Sequence, residues 1–90
     1  MINVQQFLNH KALEKQRPAQ GGTQYIFSFD NGYGASVVNH SFSYTNSDDE
    51  WELAVLEDTY LTYDTPITDD VIGYLEVDEV LTLLDKIERL

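Results

Sequence analysis

Tyr25, Phe27 and Phe29 alternate with Ile26 and Ser28 and run straight into Asp30-Asn31-Gly32. Alternation at period 2 places one set of side chains on each face of a strand. An Asn-Gly pair supplies the positive φ angles of a tight hairpin turn. The returning strand is expected over residues 33–39, with Gly34 early in it and the β-branched Val37-Val38 behind. Residues 40–49 are polar and read as a loop, with Phe42 and Tyr44 as its anchors.

A third strand is expected over 51–57. Trp51, Leu53 and Val55 lie on one face, and Glu52, Ala54 and Leu56 on the other. Asp58-Thr59 turns the chain into a short fourth strand over 60–63. The result is an antiparallel meander of three to four strands with one face left for helices to cover.

The flanks read as helical. Val4, Phe7, Leu8 and Ala12 follow helical spacing, Asn3 is an N-cap and Gln6 stands three residues on, which predicts a helix over 3–16. Arg17-Pro18 stops it, and residues 19–23, with Gly21-Gly22, read as a flexible connector. Past Thr65-Pro66, Thr68 caps a short helix with Asp69 and Asp70 in its first turn and Ile67 and Ile72 as a staple, ending near Gly73. Residues 77–90 form a second helix on the stripe Val77, Val80, Leu81, Leu84 and Ile87, widened by Leu83 and Leu90. The expected architecture is one α+β domain over 1–90: helix and linker over 1–22, sheet over 23–64, and C-terminal helices over 65–90.

Ninety residues hold one core, and 42% apolar with 12% aromatic residues is too much for a disordered chain. There is no cysteine, so neither disulfides nor thiolate metal sites arise. No export signal and no bilayer-spanning stretch is visible, so a soluble, cytoplasmic protein is expected. The charge is lopsided. Between Pro18 and Asp85 the chain has 14 acids and no Lys or Arg. That segment carries −14 and the two ends together +3, giving the net −11. A charge of this size aids solubility and opposes folding through self-repulsion.

Little in the chain points to covalent chemistry. His10 and His40 lack the context of a nucleophile's base or a zinc helix, and the glycines form no phosphate loop. Asp48-Asp49-Glu50 and Asp69-Asp70 are the densest acids, yet 46–57 lacks the central glycine of a calcium loop. No enzyme, cofactor or metal is expected. Direct nucleic-acid binding is disfavoured, because phosphates would meet carboxylates.

Three segments carry a resemblance: Tyr33-Gly34-Ala35-Ser36-Val37-Val38, Trp51-Glu52-Leu53-Ala54-Val55-Leu56, and the run from Leu61-Thr62-Tyr63-Asp64-Thr65-Pro66 through Val71-Ile72-Gly73-Tyr74-Leu75. Their order resembles that of small acidic phage and prophage proteins, over roughly residues 29–90. The resemblance implies action in the host cytoplasm, against or alongside host machinery, and brings no catalytic residue with it.

Two functions follow as expectations. In the first, an acidic face occupies the basic channel of a nucleic-acid-binding host protein, such as a CRISPR effector or restriction enzyme, as a mimic of nucleic acid. Its contacts would be Asp48, Asp49, Glu50, Glu52, Glu57, Asp58, Asp64, Asp69 and Asp70, with Tyr44, or Trp51 if exposed, as the aromatic anchor. In the second, the chain is an assembly module, a homodimer through Leu83, Ile87 and Leu90 of the C-terminal helix.

Overall fold

The computed structural model describes residues 3–40, 50–58, 60–62, 65–67 and 71–90. In chain order these form α1 (Gln5–Leu8), β1 (Leu13–Ala19), β2 (Gly22–Ser28), β3 (Tyr33–Asn39), β4 (Trp51–Glu57), β5 (Tyr60–Leu61), β6 (Ile72–Leu75) and α2 (Val77–Glu88). The class is α+β, as expected, with more strands than the three to four of the sequence reading. One antiparallel sheet runs β1-β2-β3-β4-β5, and β6 pairs with β4 as well.

The aromatic hairpin forms as β2 and β3, with Thr23 opposite Asn39 and Ser28 opposite Gly34. Its turn differs in detail from a two-residue Asn-Gly loop. Gly32 has φ 88°, whereas Asp30 and Asn31 keep negative φ. The Gly32 N–H donates to the Phe29 carbonyl at 3.3 Å, and the Phe29 N–H to the Tyr33 carbonyl at 2.9 Å. The loop therefore has three residues and closes on a left-handed glycine.

The N-terminal third departs most from expectation. The helix predicted over 3–16 shrinks to one turn, and residues 13–19 form a strand against β2. What read as a Gly-Gly connector is a tight hairpin: Ala19 pairs with Gly22, and Gln20 and Gly21 between them have φ 45° and 84°. Helical spacing at Val4, Phe7 and Leu8 is real, but it serves one turn that sinks Phe7 into the core. The Phe7 ring stands edge-on to Tyr25, Phe27 and Trp51 at 5.1, 5.9 and 5.3 Å. The Tyr25 hydroxyl accepts the Val4 N–H at 2.9 Å, which docks this segment onto the sheet.

The C-terminal helix is found where the apolar stripe puts it. Glu76 caps α2, and its N–H donates to the Glu79 carboxylate at 3.0 Å in a capping box. The short helix expected before it is not what residues 72–75 form, since Ile72 lies opposite Leu53 in a strand. Thr68, Asp69 and Asp70 lie outside the described residues.

Alternation decides which face is the core. Tyr25, Phe27, Ala35, Val37, Trp51, Leu53 and Val55 all point to one side, where Val80, Leu84 and Ile87 of α2 cover them; all are fully or almost fully buried. Burying each aliphatic or aromatic side chain of this kind contributes about 1.5–3 kcal/mol. Leu81, Leu83 and Leu90 also pack against this core.

The outer edge of the sheet at β1 is shielded from further pairing. A register shift between Leu13 and Lys15 bends the strand, and Lys15, Arg17 and Pro18 sit on it. Bulges, charges and proline on an edge strand discourage another strand from adding.

Candidate partner-binding surface

The acids chosen from the sequence can be placed strand by strand. Glu50 precedes β4, Glu52 and Glu57 lie within it, and Asp58 follows it. A seven-residue strand spans roughly 20 Å, so these residues occupy its two ends. The pleat separates them further. Glu52 lies opposite Val38 on the outer face, whereas Glu57 lies opposite Tyr33 on the face that carries the core. The four described acids therefore make no single patch. Asp48, Asp49, Asp64, Asp69, Asp70 and Tyr44 lie outside the described residues.

Trp51 is fully buried among Phe7 and Tyr25 and is no surface anchor. Its indole Nε1 has no hydrogen-bond partner among the described residues.

Further acids enter through the topology. Trp51 is paired with Leu75, so Glu50 and Glu76 flank that pair at one end of the sheet. Asp78 and Glu79 follow in the first turn of α2, where they also complement the helix dipole. Glu76, Asp78 and Glu79 are exposed and carry no ion pair among the described residues. The cations gather elsewhere. Lys11 pairs with Glu88 and Arg89 with Asp85, both at 2.7 Å, at the far end of α2. The bond to Glu88 raises the Lys11 pKa above its usual value. Lys15 and Arg17 stand on β1, at the opposite edge of the sheet from β5 and β6.

The edge formed by β5 and β6 is the other feature that sequence reasoning missed. Tyr60, Leu61 and Tyr74 are 76%, 56% and 53% exposed, the large apolar side chains that stand out from the described surface. Tyr60 lies opposite Glu57, and Leu61 opposite Leu56. Tyr74 has φ 57° within an irregularity that sets Ile72–Leu75 against the shorter run from Trp51 to Leu53. One extra residue on β6 bulges there and turns the phenol outward.

Other chemistry finds little support in the described residues. His10 accepts the Ala12 N–H on Nδ1 at 3.0 Å and stacks edge-on to Phe27 at 5.3 Å, a structural role. Burial lowers its pKa, the Glu88 charge opposes that shift, and Lys11 adds to it. No group of three His, Cys, Asp or Glu suited to a metal occurs among them. No helix there is long and apolar enough to cross a membrane. A groove of about 350 Å³ crosses the outer face, lined among others by Lys15 and Arg17 of β1, Ile26 and Ser28 of β2, and Leu56 and Asp58.

The three residues named for a homodimer, Leu83, Ile87 and Leu90, all touch the chain's own core. Ile87 is fully buried, and Leu83 and Leu90 are only partly buried there. Compared with known proteins, the chain matches no family model, no curated protein and no solved structure.

Proposed function

We propose that this chain is a non-catalytic acidic protein that binds and inhibits a basic, nucleic-acid-binding host protein by offering carboxylates where that protein expects phosphates. The observation that carries the reading is the segregation of charge. Glu76, Asp78 and Glu79 at the start of α2 are exposed without an ion pair among the described residues, while the ion pairs of Lys11 and Arg89 lie at its far end. With net charge −11, encounter with a cationic channel is accelerated by long-range attraction.

The test is competition. A CRISPR effector or restriction enzyme is held on fluorescent DNA, and the protein is titrated in while anisotropy is followed. Displacement of DNA is expected, weakening roughly tenfold or more when salt is raised severalfold. Reversing Glu57, Asp58, Glu76, Asp78 and Glu79 to lysine together should abolish it in a protein whose Trp51 emission shows it still folded, since Glu76 and Glu79 also cap α2. Displacement that ignores both salt and charge reversal overturns the mechanism.

A further inference from the structure

We infer that the β5–β6 edge is the anchor of this contact, and that Tyr60 and Tyr74 each receive an arginine side chain of the basic partner. The inference rests on the reading above and goes further, because it names the residues that hold the partner and the side chain they hold.

The geometry begins with β4. Its outer edge is shared end to end by β5, opposite Leu56 and Glu57, and by β6, opposite Trp51 and Leu53. Tyr60 and Tyr74 therefore stand on one edge of the sheet, roughly five residues or 17 Å apart along β4. Both residues are more than half exposed. Neither is needed for the apolar core, which is closed without them.

Each ring has carboxylates for company. Tyr60 is the direct cross-strand partner of Glu57, so the phenol and the carboxylate share a face, with Asp58 next along the chain. Tyr74 is followed two residues on along the chain by the exposed Glu76, whose carboxylate also accepts the Glu79 N–H as the cap of α2. The chain has no Lys or Arg anywhere between Arg17 and Lys86 to occupy these positions from within the sheet edge. A ring face beside a carboxylate is a receptor for guanidinium, which stacks on the one and forms paired hydrogen bonds with the other. Lysine, a compact and strongly hydrated charge, fits such a site less well.

The backbone supports the same assignment. A bulky residue at positive φ is sterically disfavoured, and Tyr74 keeps φ 57° to project a ring into solvent. Strand addition is also discouraged here. β5 is two residues long and β6 is bulged, so an extended segment finds no regular ladder to join, and side chains must carry the contact. A second copy of this chain is disfavoured as the occupant, since it would bring its own −11 charge to the same edge.

The test uses the whole chain, labelled with nitrogen-15, and two probes: a decamer of arginine and a decamer of lysine. The arginine peptide should shift the amide signals of Glu57, Tyr60, Leu61, Tyr74 and Glu76 most, and bind more tightly than the lysine peptide. Tyr60→Ser and Tyr74→Asn should each weaken it roughly threefold to fivefold, while Tyr60→Phe, which keeps the ring, should retain binding. Both positions are exposed, and unchanged emission from the buried Trp51 verifies that the variants are folded. Equal binding of the two peptides, or shifts spread over all acidic residues and blind to the tyrosine changes, overturns the anchor. So does a dimer in sedimentation that Tyr60→Ser abolishes, since the edge then serves a second copy. In the DNA-competition assay, inhibition that survives both tyrosine variants overturns the anchor and leaves the inhibitor reading standing. Selective arginine binding at this edge without inhibition by the wild type does the reverse.

Discussion

The side-chain amide of Asn31 donates to the main-chain carbonyl of Ile87 at 2.9 Å, tying the β2–β3 turn to the last turn of α2 across 56 residues of sequence. The same nitrogen lies 3.1 Å from the Glu88 carbonyl, and the Asn31 side-chain oxygen accepts the Tyr33 N–H at 3.0 Å. The last carbonyls of a helix have no partner within it, so a donor from the turn satisfies what α2 cannot. Asn31→Ala should therefore lower stability by about 1–2 kcal/mol in urea unfolding. Asn31→Asp should cost more, because a carboxylate would face the negative end of the helix dipole. Equal stability of all three proteins would show that the tie contributes nothing.

That tie also marks how far the sequence could be read. Asn31-Gly32 is legible as a turn because the signal is local, a short polar pair between alternating strands. The reach of its amide to α2 is not, since it depends on where the helix lands. The same division runs through the fold. The strands at 22–28, 33–39 and 51–57 and the helix at 77–88 announce themselves by periodicity, because each buries one face against a core that it largely defines. β1 gives no such signal. As an edge strand it exposes most of Leu13–Ala19, and its pairing with β2 is imposed by the Gln20-Gly21 turn. Among candidate site residues, acidity is readable and grouping is not. Glu52 and Glu57 differ by an odd number of residues and so point to opposite faces, while Tyr60 and Tyr74 stand on one edge only because two short strands share β4.

At two glycines of the sheet a side chain would collide with main chain. A Cβ on Gly22 would lie 1.8 Å from the Asn39 carbonyl oxygen, and one on Gly34 would lie 2.3 Å from that of Phe27. Backbone cannot swing aside as a flexible side chain can, so Gly22→Ala and Gly34→Ala should each cost roughly 2–3 kcal/mol. Gly32→Ala meets nothing closer than the Asp58 carboxylate at 3.6 Å and suffers from its positive φ alone, for about 1 kcal/mol. Urea midpoints should rank the three accordingly. A Gly32 variant as damaged as the other two would contradict the collision account.

His10 makes stability depend on pH in a defined window. Its Nδ1 can accept the Ala12 N–H only when that nitrogen is unprotonated, and its ring packs edge-on to Phe27 and Phe29. Burial, aided by Lys11 and opposed by Glu88, holds the folded pKa below 6.5. As pH falls through 6.5 the unfolded chain takes up a proton before the folded one does. The contribution of neutral His10 is thus complete above that pH and is lost progressively below it. The urea midpoint of the wild type should fall between pH 7.5 and 5.5, and less so for His10→Gln. The ring signals of His10 in NMR should titrate below 6.5. A midpoint at or above that value would reverse the sign of the effect.

Tyr74 offers a way to separate folding from binding at one position. Its φ of 57° is a conformation that asparagine tolerates and β-branched residues resist. Tyr74→Asn should leave stability unchanged or raise it by up to about 1 kcal/mol, while Tyr74→Val should lower it by about 1–2 kcal/mol. Both remove the ring and should weaken the arginine peptide to the same degree, so stability and affinity change independently across the pair. That outcome would mark Tyr74 as a side chain held at a conformational cost and used in binding. If valine were accepted as readily as asparagine, the backbone at this position would carry no strain, and the outward turn of the phenol would need another cause.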